Sequence, residues 1–496
     1  MNILLVYPEN PTTFWSFKHA LKFINKKANL PPLGLLTVAA MLPKDWNLKL
    51  IDMNIKKLKN RDILWADFVF ISAMNIQKES ARKVINRCKA LGIKTVGGGP
   101  LFTADFESYD DVDHLLLHEA ESYISEFIDD MKEGTPKHKY DREEYPQLTE
   151  TPVPAWELVD INKYEVMSVQ YSRGCPFHCE FCNVVSLFGH TQRTKTPDQI
   201  IDELDRIYNL GWRGSVFFVD DNFIGNKQKI KTEILPQLIS WMREKDYPFD
   251  FNTEASINIA DDEELMGLLA EAGFDCVFIG IETIDEDCLA ECNKTQNKER
   301  DLIRNITRIQ NHGLQVQGGF ILGFDNDKPS IFTNMFSFIQ SSGIVTAMVG
   351  VLTALKGTKL FERLKKEGRL LGDFATTNTD INFVTKMPLG DLMDGYKSVI
   401  DSIYSPKNYY KRVRLFLENF RPKNYRRSKI GFSHISAFFK ACILLGIISN
   451  GRREFWKLLR WASLKKGQAF AMAVKFAIYG YHFRKCLKEI EIAVGS

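Results

Sequence analysis

The sequence predicts an α/β chain: two parallel-stranded units in tandem, then an α-helical, basic C-terminal domain. Three observations carry this. Short apolar runs alternate with amphipathic helical stretches from the N-terminus to about residue 390. The alternation is interrupted once, over residues 126–165, where KEGTPKHKYDREEYPQLTETPVPAWELVD is rich in Pro, Thr and charge. Beyond Tyr404 strand alternation stops, and Lys plus Arg outnumber Asp plus Glu by 20 to 4. The expected units are therefore residues 1–125, a connector over 126–165, residues 166–390, and a helical domain over 391–496.

Bulk composition is that of a folded chain. With 496 residues, 45% hydrophobic and 26% charged, it has room for several full-sized cores. The first residues, MNILLVYPEN, read as a strand without a basic n-region, and nine cysteines show no regular framework. Both point to a reducing cytoplasm. The net charge of +3 hides a split: +16 from Tyr404 onward and −13 before it. Such a tail is expected to meet something anionic.

In the first unit the strands are NILLVYP, LKLIDMN, ADFVFISAMN, IKTVGGGP and HLLLHEAE, with PPLGLLTVAAML and KESARKVINRCKALG as helices. Regular βα alternation with short turns builds a doubly wound parallel sheet, whose ligands bind at the carboxyl ends of the strands. No G-x-G-x-x-G follows the first strand, which disfavours a dinucleotide.

The second unit opens on strand MSVQYSRGC, which runs into SRGCPFHCEFCN. Cys175, Cys179 and Cys182 are too few to pair off as disulfides. Zinc would need a fourth ligand, and His178 stands cramped between two of the thiols. An iron–sulfur cubane has four irons, so three thiolates leave one iron open to a small molecule. Cys276, Cys288 and Cys292 could form a second cluster, though the last two read better as one face of a helix; Cys88, Cys442 and Cys486 read as core.

The C-x3-C-x2-C spacing, with Phe181 before the last cysteine, resembles the signature of the radical SAM superfamily. The resemblance implies a [4Fe-4S] cluster whose open iron chelates S-adenosyl-L-methionine, the source of a deoxyadenosyl radical, and an external electron donor of the flavodoxin or ferredoxin type. It also implies a partial (β/α)6 TIM-type barrel, which fits the further strands SVFFVDDNF, FDFNTEAS, CVFIGIE, QVQGGFILGF and VTAMVGVLTAL. Polar residues collect at these strand ends, where barrel sites form: Asp220, Asp221 and Asn222, then Glu254, Glu282 and Asp325 to Asp327. By resemblance, Asp220, Asp221 and Asn222 meet the SAM amino group and Glu282 the ribose or methionyl end. Gly319, Ile321 and Gly323 match the pattern that packs the adenine, and Phe181 and Glu254 join this SAM set. For each acid the plain alternative is a turn residue or helix N-cap.

A doubly wound unit directly before such a barrel resembles a Rossmann-like cobalamin-binding domain. The family's D-x-H-x-x-G stretch falls here on Asp52-Met53-Asn54-Ile55-Lys56-Lys57, so Asn54 stands where a cobalt-ligating His would be and the Gly is missing. Ser72, Gly97, Gly98, Gly99 and Pro100 match the lining of the buried nucleotide tail, where bare backbone admits a bulky ligand.

The whole arrangement is similar to the cobalamin-dependent radical SAM group that includes hopanoid methylases. That implies methylation of an unactivated carbon on a small-molecule or lipid substrate. Pigment methylation, cyclisation, rearrangement and RNA modification stay open on the same cofactors, and so does an iron–sulfur sensor with no activity. Nucleic acid is disfavoured, because no β-rich RNA module is present. In the tail, residues 433–449 read as a buried or interfacial helix. Residues 453–483 interleave Phe, Trp and Leu with Lys and Arg, like an amphipathic surface helix. A peripheral place on the inner membrane face is the resulting expectation.

Overall fold

The computed structural model describes residues 1–142, 144–372, 381–422, 431–465 and 469–494. Lys423, Arg426, Arg427, Lys429 and Lys466 of the basic tail lie outside the described residues.

Six parallel strands form the first sheet: β1 (Asn2–Tyr7), β2 (Asn47–Asp52), β3 (Phe68–Ser72), β4 (Lys94–Gly98), β5 (His114–Leu116) and β6 (Lys139–Tyr140), in the order β2-β1-β3-β4-β5-β6. Ile3, Leu4, Leu5 and Val6 of β1 are all fully buried, as a strand covered on both faces requires. Helices α1 (Leu33–Met41), α2 (Lys78–Ala90) and α3 (Ile124–Glu133) flank the sheet. The sheet runs further than the sequence suggests. Most of α3 and all of β6 lie beyond residue 125, inside the stretch read as a connector, because Tyr140 pairs with Leu116 and packs edge-on against Phe127. The rest of that stretch is no loose linker either: Leu148, Trp156 and Tyr164 are buried.

The second sheet holds β7 (Val166–Val169), β10 (Ser215–Phe218), β11 (Asp250–Glu254), β12 (Phe274–Glu282), β13 (Gln315–Leu322) and β14 (Ala347–Val351), parallel and in sequence order, open between β14 and β7. A short antiparallel ribbon, β8 (Ser172–Arg173) with β9 (Arg193–Thr194), rises from the end of β7. Helices α4 (Pro197–Asn209), α5 (Leu235–Glu244), α6 (Glu263–Ala272), α7 (Leu302–Asn311) and α8 (Ser330–Ser342) form the outer layer, and α9 (Lys359–Lys366) follows β14. Val277, Ile279 and Ile281 of β12 are fully buried toward these helices, while Phe278 and Gly280 on the other face are part-exposed and look into the barrel lumen.

The tail is helical: α10 (Leu389–Tyr404), α11 (Pro406–Asn419), α12 (Phe432–Ile443) with a π-helical turn Leu444–Ile448, α13 (Arg452–Ser463) and α14 (Ala469–Val494). Its basic charge is partly internal. Arg412 is fully buried and donates to the carbonyls of Ile403 and Val345 and to Gln340. The stretch 453–483 is not one amphipathic helix. It splits into α13 and α14, and α14 buries Ala473, Phe476 and Ala477 in the common core. Gly480 is required there, since a Cβ would land on the Tyr409 ring. Among the described residues no helix is long and apolar enough to cross a membrane.

Candidate active site

The carboxyl ends of the two sheets face each other. The loop after β1 sends Trp15 onto Phe278 in the barrel lumen, with ring centroids 5.0 Å apart. After β5, Glu119 takes Arg173 at 2.5 Å and Arg193 at 2.5 Å, and Glu121 takes Arg173 at 2.8 Å. After β4, Glu107 pairs with Lys356 from the loop after β14 at 2.7 Å. Three loops of one sheet thus meet strand β12, the β8–β9 ribbon and the loop after β14 of the other unit, and Arg173, Glu119 and Glu121 do so almost without solvent.

Arg173 and Arg193 belong to the β8–β9 ribbon, which carries the three-cysteine loop. The loop leaves the ribbon at Gly174, where φ is +93° and a Cβ would stand 2.7 Å from the Thr191 carbonyl, so only glycine serves. Asp220 accepts from the Ser172 amide and hydroxyl and from the Tyr171 amide at 3.2 Å. Asp221 accepts from the Gly174 amide at 3.2 Å. Asn222 Oδ1 accepts from the Ser256 amide. Burial raises the Asp220 carboxyl to about 7 and the Asp221 carboxyl to about 6. Asp220 and Asn222 are thus bonded to the chain itself, Asp220 to the ribbon that carries the cysteine loop and Asn222 to the turn after β11.

Cys175, Cys179 and Cys182 are free thiols on this loop. Burial pushes the Cys182 thiol up to about 12. Among the described residues no three His, Cys, Asp or Glu side chains converge on one ion. Thiolates that each hold a different iron of a cubane need no such convergence. His178 packs at a tilt on the His190 ring, with centroids 3.9 Å apart. Cys288 and Cys292 are buried in a small apolar cluster, as ordinary helix residues would be.

The segment 292–297, CNKTQN, wraps the cysteine loop. The Glu180 amide donates to the Cys292 carbonyl at 2.9 Å, Asn293 Nδ2 donates to the His178 carbonyl at 3.1 Å, and Gln296 Nε2 lies 3.7 Å from Cys179 Sγ. Lys294 Nζ sits 6.0 Å over the Phe181 ring and donates to Glu282 Oε1 at 2.8 Å. Glu282 holds φ +62° at a register shift that ends β12, a strained backbone of the kind kept at binding sites. Gly280 makes room, because a Cβ there would strike Glu282 Oε1. Glu254 projects from the end of β11 beside this pair. Burial, then the charges of Asp221 and Glu282, raise its carboxyl to about 8.

Carboxylates, the Lys294 ammonium and apolar side chains thus gather at the barrel mouth. Phe181 and Ile321 pack on the same apolar cluster at the barrel mouth. Gly323 turns the chain there at φ +103°, while Gly319 gives its space to the Phe278 ring, 2.8 Å from where a Cβ would stand. Among the described residues Gln296 Oε1 is buried without a partner. Lys294, Gln296 and Trp15 were not legible in the sequence, since each comes from an irregular segment without a period or motif.

On the facing edge, Asn54 is held by its own chain. Its Nδ2 donates to Asp52 Oδ1 at 2.7 Å and to the Pro8 carbonyl at 3.3 Å, and its Oδ1 accepts from the Asn10 amide at 2.8 Å. Tyr164 caps the other Asp52 oxygen at 2.9 Å. Ser72 and Gly98 end neighbouring strands with part-exposed backbone, and Gly99 turns at φ +88° against Ser72 Oγ into Pro100. Gly97 has a packing reason: Phe102 fills the place of its Cβ. Among the described residues Asn10 Oδ1 and Asn75 Oδ1 are buried at this edge without partners, acceptors suited to an amide-rich ligand such as a corrin.

Comparison with known proteins agrees with this division. Residues 23–128 match the B12 binding domain, 169–339 the radical SAM superfamily, and 358–494 a domain of unknown function. An uncharacterized methyltransferase of Synechocystis is 42% identical over 92% of this chain and 86% of its own. The hopanoid C-2 methylase of Rhodopseudomonas palustris is 34% identical over 92% of this chain and 88% of its own. The chain belongs to the cobalamin-dependent radical SAM methyltransferases. The fold of this family is seen in OxsB, with aqua-cobalamin and S-adenosylmethionine bound, at a TM-score of 0.62 and 15% identity over all of this chain and 80% of that one. It is seen again in TsrM of Kitasatospora setae, with cobalamin and a [4Fe-4S] cluster bound, at 0.60 and 13% over 98% and 99%. The cofactors of this methyltransferase are accordingly a [4Fe-4S] cluster, S-adenosylmethionine and cobalamin.

Proposed function

We propose that this methyltransferase adds a methyl group to an unactivated carbon of a lipid or isoprenoid, hopanoid-like substrate. One observation carries the lipid reading: the likeness to the hopanoid C-2 methylase spans 92% of the chain, so its unmatched part is too short to omit the tail. The opposed sheet edges support the reaction. A substrate carbon lying between them has the cysteine loop and Glu254 on one side and the Ser72–Gly98 edge on the other.

Bound together, the cofactors supply a radical that removes hydrogen and a methyl group to replace it. The chain supplies everything else. Cys175, Cys179 and Cys182 hold the cluster. Asp221, Glu254 and Glu282 take the ammonium and ribose side of S-adenosylmethionine, Lys294 takes its carboxylate, and Phe181 with Ile321 flanks the base. Asp220 fixes the ribbon that presents the thiols, and Asn222 ties the neighbouring turn at Ser256. Ser72 and Gly97 to Pro100 line the cobalamin edge, while Asn54, bonded inward, offers cobalt no ligand. The buried Arg173–Glu119–Arg193 lock keeps the two edges in register and dry. Pro176 and His178 are exposed on the cysteine loop, where an external flavodoxin- or ferredoxin-type donor would approach. We place the enzyme in the cytoplasm, peripherally on the inner membrane face.

Mass spectrometry of lipid and pigment extracts from a deletion strain beside its parent tests the substrate. Loss of one methylene unit from a polycyclic or isoprenoid lipid is the expected result. An unchanged lipid profile with an altered pigment would overturn it in favour of chemistry like that of the bacteriochlorophyllide d C-12(1)-methyltransferase of Chlorobaculum tepidum, 26% identical over 74% of this chain.

A further inference from the structure

α12 is amphipathic the wrong way round for a helix that serves only the fold. Its small residues face the protein: Ala437 and Ala441 are buried, and Leu445 in the following π-turn continues that line. Phe438 packs against the core, but the other large apolar residues of the helix face outward. Ile435, Phe439, Ile443 and Ile447 recur every four residues at 46%, 62%, 53% and 63% exposure, and Ile448 adds 65%. A helix selected for packing alone would do the reverse. An exposed apolar ridge of this length marks a contact with something else.

The surroundings indicate what. α13 packs on the π-turn through Trp456, whose Nε1 donates to the Gly446 carbonyl at 3.0 Å. It presents Arg452, Arg453 and Arg460 to solvent, with Trp456 and Leu464 also exposed. Over residues 432–465 there are six Lys and Arg and one acid, a net of +5. A protruding Ile/Phe ridge beside arginines and tryptophan matches a bilayer boundary, where apolar side chains enter the acyl region and cations meet lipid phosphates. A second protein copy would bring its own arginines against these, which is unfavourable without acids to answer them. The helix that carries the ridge also touches the N-terminal arm. Lys440 on α12 donates to the carbonyls of Lys22 and Phe23 and to Asn25 Oδ1, in the same arm that carries Trp15 to the lumen.

We infer that the ridge Ile435–Phe439–Ile443–Ile447–Ile448 inserts into an anionic phospholipid surface, with Arg452, Arg453 and Arg460 on the headgroups, and seats the N-terminal arm beside the bilayer. This deepens the lipid-substrate reading by naming the surface through which such a substrate is reached. The full chain is floated with vesicles of equal phosphatidylglycerol and phosphatidylcholine, and with phosphatidylcholine alone. It rises with the anionic vesicles only. Ile435→Ser, Phe439→Ser, Ile443→Ser and Ile447→Ser combined lower that partition at least about tenfold, with the circular dichroism spectrum and thermal midpoint unchanged. Arg452→Gln, Arg453→Gln and Arg460→Gln combined weaken it and flatten its salt dependence. Wild-type protein left at the bottom of the gradient, or a Ser variant that floats like wild type, overturns the inference. So does a wild-type dimer that the Ser variant turns into monomer while neither floats, which would make the ridge a contact between copies. Flotation needs no substrate, so its failure is separable from failure of the lipid-extract experiment.

Discussion

Lys294 Nζ donates to Glu282 Oε1 at 2.8 Å, and both atoms occupy the space where a side chain on Gly280 would begin. The pair thus depends on a missing Cβ two residues before one of its partners. Gly280→Ala should displace the ends of two flexible side chains and leave the barrel folded, while S-adenosylmethionine binding falls. Lys294→Met should weaken that binding about 10- to 100-fold, the range of a lost charge-assisted hydrogen bond. Equilibrium dialysis with cluster absorbance as a control separates loss of the ligand from loss of the cluster.

Glu254 gives the site a pH dependence. Its folded carboxyl titrates at about 8, far above an ordinary Glu, because of burial and then the carboxylates of Asp221 and Glu282. A ligand ammonium selects the ionised form, so below about 8 a proton leaves as the ligand binds. The dissociation constant for S-adenosylmethionine should fall about tenfold per unit as pH rises toward 8, then level off. Before ligand binds, the same raised value disfavours the folded chain as pH climbs from the ordinary Glu range to about 8. Glu254→Gln should shrink both slopes and end the part between about 7 and 8, leaving below that the share of Asp220 and Asp221, which dialysis and thermal melts across pH 5–9 would show.

Glu119 answers two buried arginines at once. Glu119→Ala leaves Arg173 and Arg193 short of charge in a nearly dry place, at a cost of about 3–5 kcal/mol. The midpoint of thermal unfolding should drop, and the cysteine loop should lose iron faster to a chelator. An unchanged midpoint would mean the lock contributes nothing net.

Asn54 is satisfied by Asp52, Pro8 and Asn10, and stands where a histidine would be expected to reach cobalt. Electron paramagnetic resonance of the reduced cobalt form should show no histidine nitrogen splitting. Asn54→Ala should cost about 1–3 kcal/mol in stability through the orphaned loop groups.

Much of this was readable in the residues. The cysteine spacing marked the cluster loop, and βα alternation gave both sheets, because local periodicity reports which faces are buried. Glu254 and Glu282 were visible as acids at strand ends. Asp220 and Asn222 lay in the right place, but their bonds to Ser172, Tyr171 and Ser256 come from segments 34 to 49 residues away. The sheet's last strand was read as connector because Lys139–Tyr140 is only two residues long and carries no pattern of its own.

By itself the sequence determined the order of the units, the three thiols, and a tail with a net charge of +16. Those are properties of composition and short-range spacing, fixed before any folding. The tertiary structure decided which charges remain on the surface, which acids bond to backbone, and that the two carboxyl edges oppose. It also decided that α12, not the more basic stretch after it, carries the exposed apolar ridge. These outcomes depend on contacts between residues as far apart as Lys440 and Lys22, and no local pattern encodes which of two apolar faces a helix will bury.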